Sequence, residues 1–381
     1  MSYRKPFMAF ITVLFFPLSA LAESAWYDNI TLESGLTIVA QNSIGNEYGD
    51  PSAEVPEGET STVTIDQADY AFTADIMLIG KLSDTEELVF HLEAGGGHSM
   101  SDNVPSRTAI NYDPYDTQVE GQVKLNVSQA YYQRNMADGK FIFGVGLMDA
   151  HSLTDSNEFA GDETAQFLNG VFVRSTGVVF HESTYYYAPT VYLEARPASF
   201  LSLTLTYSSP EGNDILDHNE LAVQLGLHPS INERQGNYRF GYIIHNQGFT
   251  KIVDGTEASN SGFFISVDQQ LTDMIGLFFR MSQQDDSLNE NEVLVATTFG
   301  ASINGFMGNE GNGIGLGYAF VEFNPNVVSV YDEGEDIIEA YIRFGTSDNT
   351  QFTVDFQYIN NLQRDDSRGV MVGGVRFQMG L

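Results

Sequence analysis

The last residues of the chain, Gly369-Val-Met-Val-Gly-Gly-Val-Arg-Phe-Gln-Met-Gly-Leu381, decide the fold class. Apolar residues alternate there with polar or small ones up to the final position, which is typical of a β-strand with one apolar face. A strand that ends the chain must pair with the first strand if the sheet lies in lipid, because an open edge has no hydrogen-bond partners there. The tail therefore predicts the closing strand of an outer-membrane β-barrel. Its apolar face is predicted to carry Val375, Phe377, Met379 and Leu381, opposite Gly374, Arg376, Gln378 and Gly380.

The N-terminus has the pattern of a secretory leader. Arg4 and Lys5 precede an apolar run, and a small-residue site, Ala-Leu-Ala at 20–22, follows it. This order predicts a signal peptide over residues 1–22 and a single β-barrel domain over residues 23–381. An N-terminal membrane anchor is the alternative, but the run is short and contains a proline.

Composition limits the partners. The 381 residues include 17 basic and 51 acidic side chains, for a formal net charge of −34, and no cysteine. Nucleic acid is not an expected partner, because phosphate binding needs basic surface. The lack of cysteine excludes disulfides and thiol chemistry. Acidic runs between the apolar segments are interpreted as solvated loops, although divalent ions could also bridge them to anionic lipopolysaccharide.

Period-two alternation continues along the chain, as at 201–208 and 350–360, and many segments run longer than the ~5–6 residues of an ordinary soluble strand. A tilted transmembrane strand needs ~9–11 residues. Bacterial single-chain barrels have an even strand number, so we predict an all-β, antiparallel transmembrane barrel of sixteen strands, with eighteen as the alternative. The candidate strands are 30–42, 69–81, 87–97, 122–133, 139–149, 176–182, 189–197, 199–208, 219–228, 236–247, 261–271, 274–284, 293–304, 312–323, 335–346, 350–360 and 369–381, of which 176–182 is doubtful.

One segment between strands, Asn157–Asn169, is predicted to form a short helix that folds inward as a loop. Asp155 could cap this helix, and Phe159, Phe167 and Leu168 would give it an apolar side.

Catalytic signatures are absent from the sequence. It contains no G-x-S-x-G, H-E-x-x-H, Walker A or dinucleotide motif. Its seven histidines do not fall in metal-ligand spacing, so we predict no cofactor, no metal site and no enzyme. His151 beside Ser152 leaves open a barrel lipase, but a barrel without catalytic groups is most simply a water-filled pore.

Two stretches resemble the carbohydrate-selective porin family of Gram-negative outer membranes. The first runs from Gln129 through Asp138-Gly-Lys140 and Asp149 into Asn157–Asn169. The second joins the glycine-rich strand at 315–320, a glutamate-bearing strand at 335–343 and the Asp-Gln-Tyr strand at 355–360. Departures are Leu381, where such barrels usually end in Phe or Trp, and Asn361-Leu362, where the family often carries a proline.

The resemblance implies a sixteen-stranded barrel through which carbohydrates diffuse passively, with loops narrowing the channel. A mono- or oligosaccharide would be the substrate, outer-membrane lipid and lipopolysaccharide the surroundings, and a homo-oligomer such as a trimer the assembly. Polar residues on the predicted inward faces and in the predicted loop are the pore-lining candidates. They are Gln129, Arg134, Glu158, Asp162, Glu163, Gln166, Arg174, Arg343 and Gln357.

Three alternatives remain open at this point. A general porin could prefer cations because its loops are acidic. A barrel lipase would hydrolyse phospholipid through Ser152, and a surface adhesin or structural barrel with a plugged lumen would not conduct.

Overall fold

The computed structural model describes residues 29–45, 48–49, 62–63, 68–98, 100–102, 104, 106–112, 124–178, 187–210, 218–327, 334–347, 349–361 and 369–380. The predicted leader and Leu381 lie outside these residues. Sixteen long strands make up the described fold. They are β1 (Ile30–Gly45), β2 (Ala68–Ser83), β3 (Glu86–Gly97), β4 (Lys124–Met136), β5 (Phe141–Met148), β6 (Ala188–Ala198), β7 (Leu201–Ser208), β8 (Glu220–Leu227), β9 (Arg234–Thr250), β10 (Glu257–Gln270), β11 (Ile275–Gln284), β12 (Val293–Asn304), β13 (Gly313–Phe323), β14 (Glu335–Ser347), β15 (Thr350–Asn360) and β16 (Gly369–Gly380).

The sheet closes on itself. Each strand pairs antiparallel with its neighbours along the chain, and β1 also pairs with β16. In that seam, residues 35–45 lie opposite residues 370–380, from Gly35 against Gly380 to Gly45 against Val370. A closed sheet has no open edge, so the prediction of a sixteen-stranded barrel sealed by the C-terminal strand is confirmed.

Side chains alternate between the two faces of the wall. On β16, Val375 and Phe377 are 42% and 38% exposed on the outer surface, while Arg376 between them is 1% exposed. On β1, Ile38 is exposed outward, whereas Val39 and Gln41 are buried on the inner face. An apolar outer band and a polar interior are the pattern of barrels that sit in lipid.

Connections differ between the two ends of the barrel. The links at 84–85, 137–140, 199–200, 228–233, 271–274, 305–312 and 348–349 lie at the end where β1 begins and β16 ends. At the opposite end the chain leaves the sheet after residues 45, 97, 148, 208, 250, 284, 323 and 360. Most of the longer links therefore begin and end at this rim.

The strand predicted over 176–182 is wrong where the structure describes it. Residues 176–178 form a turn inside the barrel, where Gly177 N donates to Ser282 Oγ at 2.8 Å. Val178 is buried against Ala222, Ile243 and Phe264 of the wall. Apolar residues at these positions pack inside the lumen and do not belong to the sheet.

The helix predicted over Asn157–Asn169 is also wrong in position. That stretch has bends and turns, and one-turn helices flank it as α1 (Ala150–Leu153) and α2 (Gly170–Val173). Residues 149–178, hereafter the inward segment, nevertheless lie within the barrel. No helix among the described residues is long and apolar enough to cross a membrane.

Candidate functional site

The inward segment leaves the wall at the end of β5, and two capped helical turns direct its path. The Asp149 carboxylate accepts hydrogen bonds from the backbone N–H groups of His151 and Ser152 and so begins α1. Asn169 accepts from Val171 N and begins α2. Side-chain oxygens at these positions satisfy N–H groups that a helix start leaves unpaired.

An aromatic cluster holds the middle of the inward segment against the wall. The Phe167 ring centroid lies 4.9 Å from Phe172, 5.3 Å from Phe278 and 5.1 Å from Tyr341. All four rings are buried in one apolar cluster. Pairs of this kind contribute ~0.5–1.5 kcal/mol each beyond the area they bury, so this packing fixes the segment on β11 and β14.

Two wall glycines allow this close approach. A Cβ on Gly317 of β13 would lie 2.6 Å from the Phe172 ring, and a Cβ on Gly276 of β11 would lie 2.3 Å from the Phe159 ring. Carbon atoms that are not bonded to each other do not approach this closely. Any larger residue at these two positions would therefore displace the inward segment. Gly317 belongs to the glycine-rich stretch on which the sequence resemblance partly rests.

A buried carboxylate binds the backbone of the inward segment. Glu339 of β14 accepts from Leu168 N at 2.5 Å and from Asn169 N at 3.0 Å. Beside it, Gln357 of β15 accepts from Asn169 Nδ2 at 3.1 Å and donates to Ile110 O at 2.9 Å. Glu339 and Gln357 therefore connect the segment to two adjacent wall strands.

Three arginines donate to carbonyl oxygens of the inward segment. Arg280 donates to Ala160 O, Phe172 O and Asp155 O. The further donations are Arg343 to Ala165 O at 2.8 Å, and Arg376 to Glu163 O at 2.7 Å and Gln166 O at 2.9 Å. A guanidinium has several donors in a fixed planar arrangement, so each arginine can donate to more than one carbonyl oxygen.

Asp155 is the acidic partner of Arg280. Its Oδ1 lies 3.4 Å from Arg280 Nε, and its carboxylate also accepts from Ser175 N and Ser175 Oγ. Burial would raise the pKa of Asp155, but Arg280, His151 and Ser175 outweigh that effect and hold the pKa below its usual value. The carboxylate is therefore kept ionised in the interior.

The tip of the inward segment is shaped by its own side chains. Asp162 Oδ1 accepts from Thr164 N and Ala165 N, and Gln166 Oε1 accepts from Gly161 N and Asp162 N. Gln166 Nε2 donates to Glu158 O at 2.8 Å. These local bonds replace the regular bonds of a helix.

Glu158 lies where the tip meets β10. Its backbone N–H donates to Asp268 Oδ2 at 3.3 Å. Burial and the neighbouring Asp268 carboxylate raise the pKa of Glu158, while Arg239 opposes this shift.

A second stretch, residues 106–112, packs beside the inward segment. Tyr112 N donates to Leu168 O and Gly170 N donates to Ala109 O, both at close hydrogen-bond distance. The Arg174 guanidinium lies over the Tyr112 ring, 4.9 Å from its centroid, in cation–π geometry. Arg174 thereby connects the inward segment to this second stretch.

The described residues line two polar cavities beside the inward segment. The loop cavity, of about 220 Å³, lies beside the inward segment, and the wall cavity, of about 340 Å³, lies between its tip and strands β1–β3. Glu163 and Tyr187 border both, so the two cavities are adjacent. The loop cavity is also lined by Tyr112, Asp149, His151 and Arg174, and the wall cavity by Glu33, Asp75, His91 and Glu93.

Most of the sequence-predicted site residues meet at this internal region. Glu158, Asp162, Glu163 and Gln166 belong to the tip, Arg174 stacks on Tyr112, and Arg343 and Gln357 contact the inward segment from the wall. The two residues from β4 are not part of it. Gln129 lies opposite His91 on the inner face, and Arg134 lies opposite Glu86, 3.6 Å from it, on the outer face near a short link.

The sequence did not identify Arg280, Arg376 or Glu339 as anchors of the inward segment. Each occupies an inward position of a long strand, in a chain with only 17 basic residues. An arginine at an inward position of a strand could have indicated an anchor, because a buried charge needs a partner. The partners themselves are backbone groups more than a hundred residues away in sequence, which no local pattern reveals.

A protein-family model matches this chain: the carbohydrate-selective porin, OprB family, over residues 59–381. No curated protein sequence matches it significantly.

Solved structures share its fold at low sequence identity. Pseudomonas putida OprB in its high-pH structure superposes with a TM-score of 0.75 at 15% identity, covering 93% of this chain and 94% of that chain. The low-pH structure of the same protein gives a TM-score of 0.54 at 13% identity, covering 93% of each chain. A mutant of Rh. blastica porin gives 0.52 at 11% identity, covering 92% of this chain and 100% of that chain.

Proposed function

This chain belongs to the carbohydrate-selective porin (OprB) family, and from that premise we propose that it lets sugars diffuse passively across the outer membrane of a Gram-negative bacterium. One observation carries the proposal. The inward segment is fixed inside a closed barrel, and the described residues line the loop cavity and the wall cavity beside it. A lumen narrowed in this way selects by size and by the groups that line it.

The chemistry of the loop cavity suits a sugar. The ring of Tyr187 can stack on a pyranose, while Asp149, Glu163 and Arg174 can exchange hydrogen bonds with hydroxyl groups. We propose Glu163 and Arg174 as the specificity residues. Glu158, Asp162 and Gln166 shape the tip that presents Glu163.

Planar-bilayer recording with a panel of mono- and oligosaccharides tests this function. We expect single channels whose ion current falls saturably as sugar is added. Arg174→Ala should weaken the sugar block about tenfold, the equivalent of ~1.4 kcal/mol, because it removes a hydrogen-bond donor from the cavity. Arg134→Ala is the matched control, since Arg134 lies on the outer face. Channels that no sugar blocks would contradict the proposal.

A cation-preferring general porin is the second candidate, and the wall cavity favours it. Among the lining residues that the structure describes there, Glu33, Asp75, Glu93 and Glu163 are acidic and none is lysine or arginine. Reversal potentials in a salt gradient measure the preference. Strong cation selectivity without any sugar block would leave only this second candidate.

We propose that residues 1–22 are removed during export and that the long links face outward, toward lipopolysaccharide. The mass of the mature protein, purified from the outer membrane, should correspond to a chain beginning at Glu23. Light scattering in detergent would establish whether the channel assembles as a homo-oligomer such as a trimer.

A further inference from the structure

Three potential metal ligands face the wall cavity from two neighbouring strands. Asp75 of β2 lies directly opposite Glu93 of β3, and His91 precedes Glu93 by two residues on the same face. The ligand atoms of the three side chains all lie within 4.8 Å of one another. Both strands are paired along their length, so the backbone holds these residues in a fixed arrangement.

Ser128 holds the other side of the imidazole. Its Oγ lies 2.9 Å from His91 Nδ1, and either atom can be the donor of this hydrogen bond. The contact leaves Nε2, the second ring nitrogen, facing the Asp75 carboxylate. Nε2 is one of the two nitrogens through which an imidazole binds a metal ion.

The ring nitrogen and one carboxylate oxygen already lie close together. His91 Nε2 is 3.0 Å from Asp75 Oδ1, near the separation of two ligand atoms on one metal ion. A metal ion bound between them would replace the hydrogen bond that joins them in its absence. The surrounding cavity adds Glu33 and Glu163 and increases the attraction for a cation.

We propose that Asp75, His91 and Glu93 form a binding site for a divalent transition-metal ion such as Zn²⁺ on the wall of the lumen. One imidazole nitrogen and two carboxylates are a donor set that zinc accepts, and a fourth position would open onto the cavity. Ligands of a tetrahedral zinc lie about 3.4 Å apart, because each bond is about 2.1 Å long. Side-chain rotations that move the ligand atoms by about 1 Å would therefore bring them to the spacing of a tetrahedral zinc site.

Two neighbouring groups orient these ligands. Ser128 holds the His91 ring through Nδ1, and Tyr187 OH donates to Glu93 Oε2 at 2.9 Å. Metal-binding histidines and carboxylates commonly have such partners, which fix the tautomer and the direction of the lone pair. Sequence spacing could not reveal the site, because its third ligand comes from the adjacent strand.

The inference goes beyond sugar diffusion and does not depend on it. An ion at this site would lie beside the lumen and would neutralise part of the negative charge of the wall cavity. Binding of Zn²⁺ should therefore lower the cation current through the open channel.

Isothermal titration of the whole detergent-solubilised protein with ZnCl₂ tests the site. We expect one site per chain in the native protein, and binding at least tenfold weaker in His91→Gln and Glu93→Gln. Ser128→Ala should weaken binding about 10–100-fold, as the loss of an orienting partner does at other metal sites. MgCl₂ should not compete at equal concentration, because Mg²⁺ prefers oxygen ligands and retains its water.

His228→Gln is the matched control. His228 also faces a hydroxyl and an amide, Ser202 and Asn237, but has no carboxylate among these partners. Its replacement should leave Zn²⁺ binding unchanged. Equal affinity in the native protein, His91→Gln and Glu93→Gln would overturn the proposal, as would loss of binding in His228→Gln alone. Heat-modifiable migration on gels shows that each variant is folded.

Bilayer currents separate this proposal from the proposed function. Saturable reduction of the current by micromolar Zn²⁺, absent in His91→Gln, supports the metal site whether or not sugars block the channel. A channel that sugars block but to which Zn²⁺ does not bind keeps the sugar function and overturns the metal site.

Discussion

Arg280 shows how much a single inward side chain contributes to the interior. Its guanidinium is 1% exposed and joins three backbone carbonyls of the inward segment to the Asp155 carboxylate. Lysine could not reproduce this arrangement, because an ammonium lacks the planar set of donors. Removing one partner of a buried ion pair leaves the other charge uncompensated, which costs about 3–5 kcal/mol.

Asp155→Asn should therefore loosen the inward segment. It should also remove the part of the segment's pH dependence that comes from protonation of Asp155. Because the folded pKa of Asp155 is lowered, its carboxylate stabilises the segment fully above the unfolded pKa of about 3.9. That stabilisation is lost as the pH falls through the lower folded pKa. Current noise in native channels should accordingly rise only in strong acid, and Asp155→Asn channels should be noisy at neutral pH.

Asp254→Asn is the control for that change. Hydrogen bonds from Thr256 lower the pKa of Asp254 as well, but this carboxylate lies in an exposed turn. Its replacement should leave the current noise unchanged at every pH. Quiet Asp155→Asn channels would contradict the role of Asp155 as an anchor.

At the scale of elements, the strands were predictable and the internal stretches were not. Alternation along β7, β14 and β15 reports the two faces of the wall directly, since successive side chains point to opposite sides. The inward segment has no such period. Phe159 and Phe167 indicated an apolar side, but their packing against Gly276 and the wall rings overrides the helix that this pattern predicted. The residues at the tip of the inward segment could be predicted as candidates, because polar residues cluster there in the sequence. The anchors on the wall could not be predicted, because their partners are distant in sequence.

Gly317→Ala tests the fit between the inward segment and β13. The added methyl group would meet Phe172 at 2.6 Å, and overpacking of this kind costs about 1–3 kcal/mol. We expect a lower unfolding temperature and a larger single-channel conductance, because the segment moves away from the wall. The control is Gly373→Ala, whose Cβ would have no heavy atom within 4 Å. Equal conductance in both variants would show that the segment does not limit the current.

For the whole molecule, closure between β1 and β16 is the decisive feature. The tail predicted it, because a strand apolar on one face and ending the chain needs a partner. The outer band includes exposed residues from strands around the barrel, among them Ile38, Phe90, Phe240 and Phe356. In water such a surface would aggregate, so we propose that lipid covers it.

Val375→Arg tests whether lipid contacts this band. Val375 lies outward near the middle of β16, and an arginine on the lipid face costs about 2–4 kcal/mol near the bilayer midplane. Urea unfolding in lipid vesicles should show this loss. Val253→Arg, in a link where Val253 is 86% exposed, should cost nothing measurable. Equal stability of the two variants would exclude a lipid-covered band.

The anchoring of the inward segment has a consequence for biogenesis. Residues 149–178 depend on Arg280, Glu339 and Arg376, which belong to β11, β14 and β16 and lie up to 213 positions later in the sequence. The internal narrowing is therefore complete only when these three strands have joined the barrel. A partly assembled barrel without β16 would lack both the pairing with β1 and the Arg376 contacts to the inward segment. One strand thus serves both the closure of the sheet and the restriction of diffusion through it.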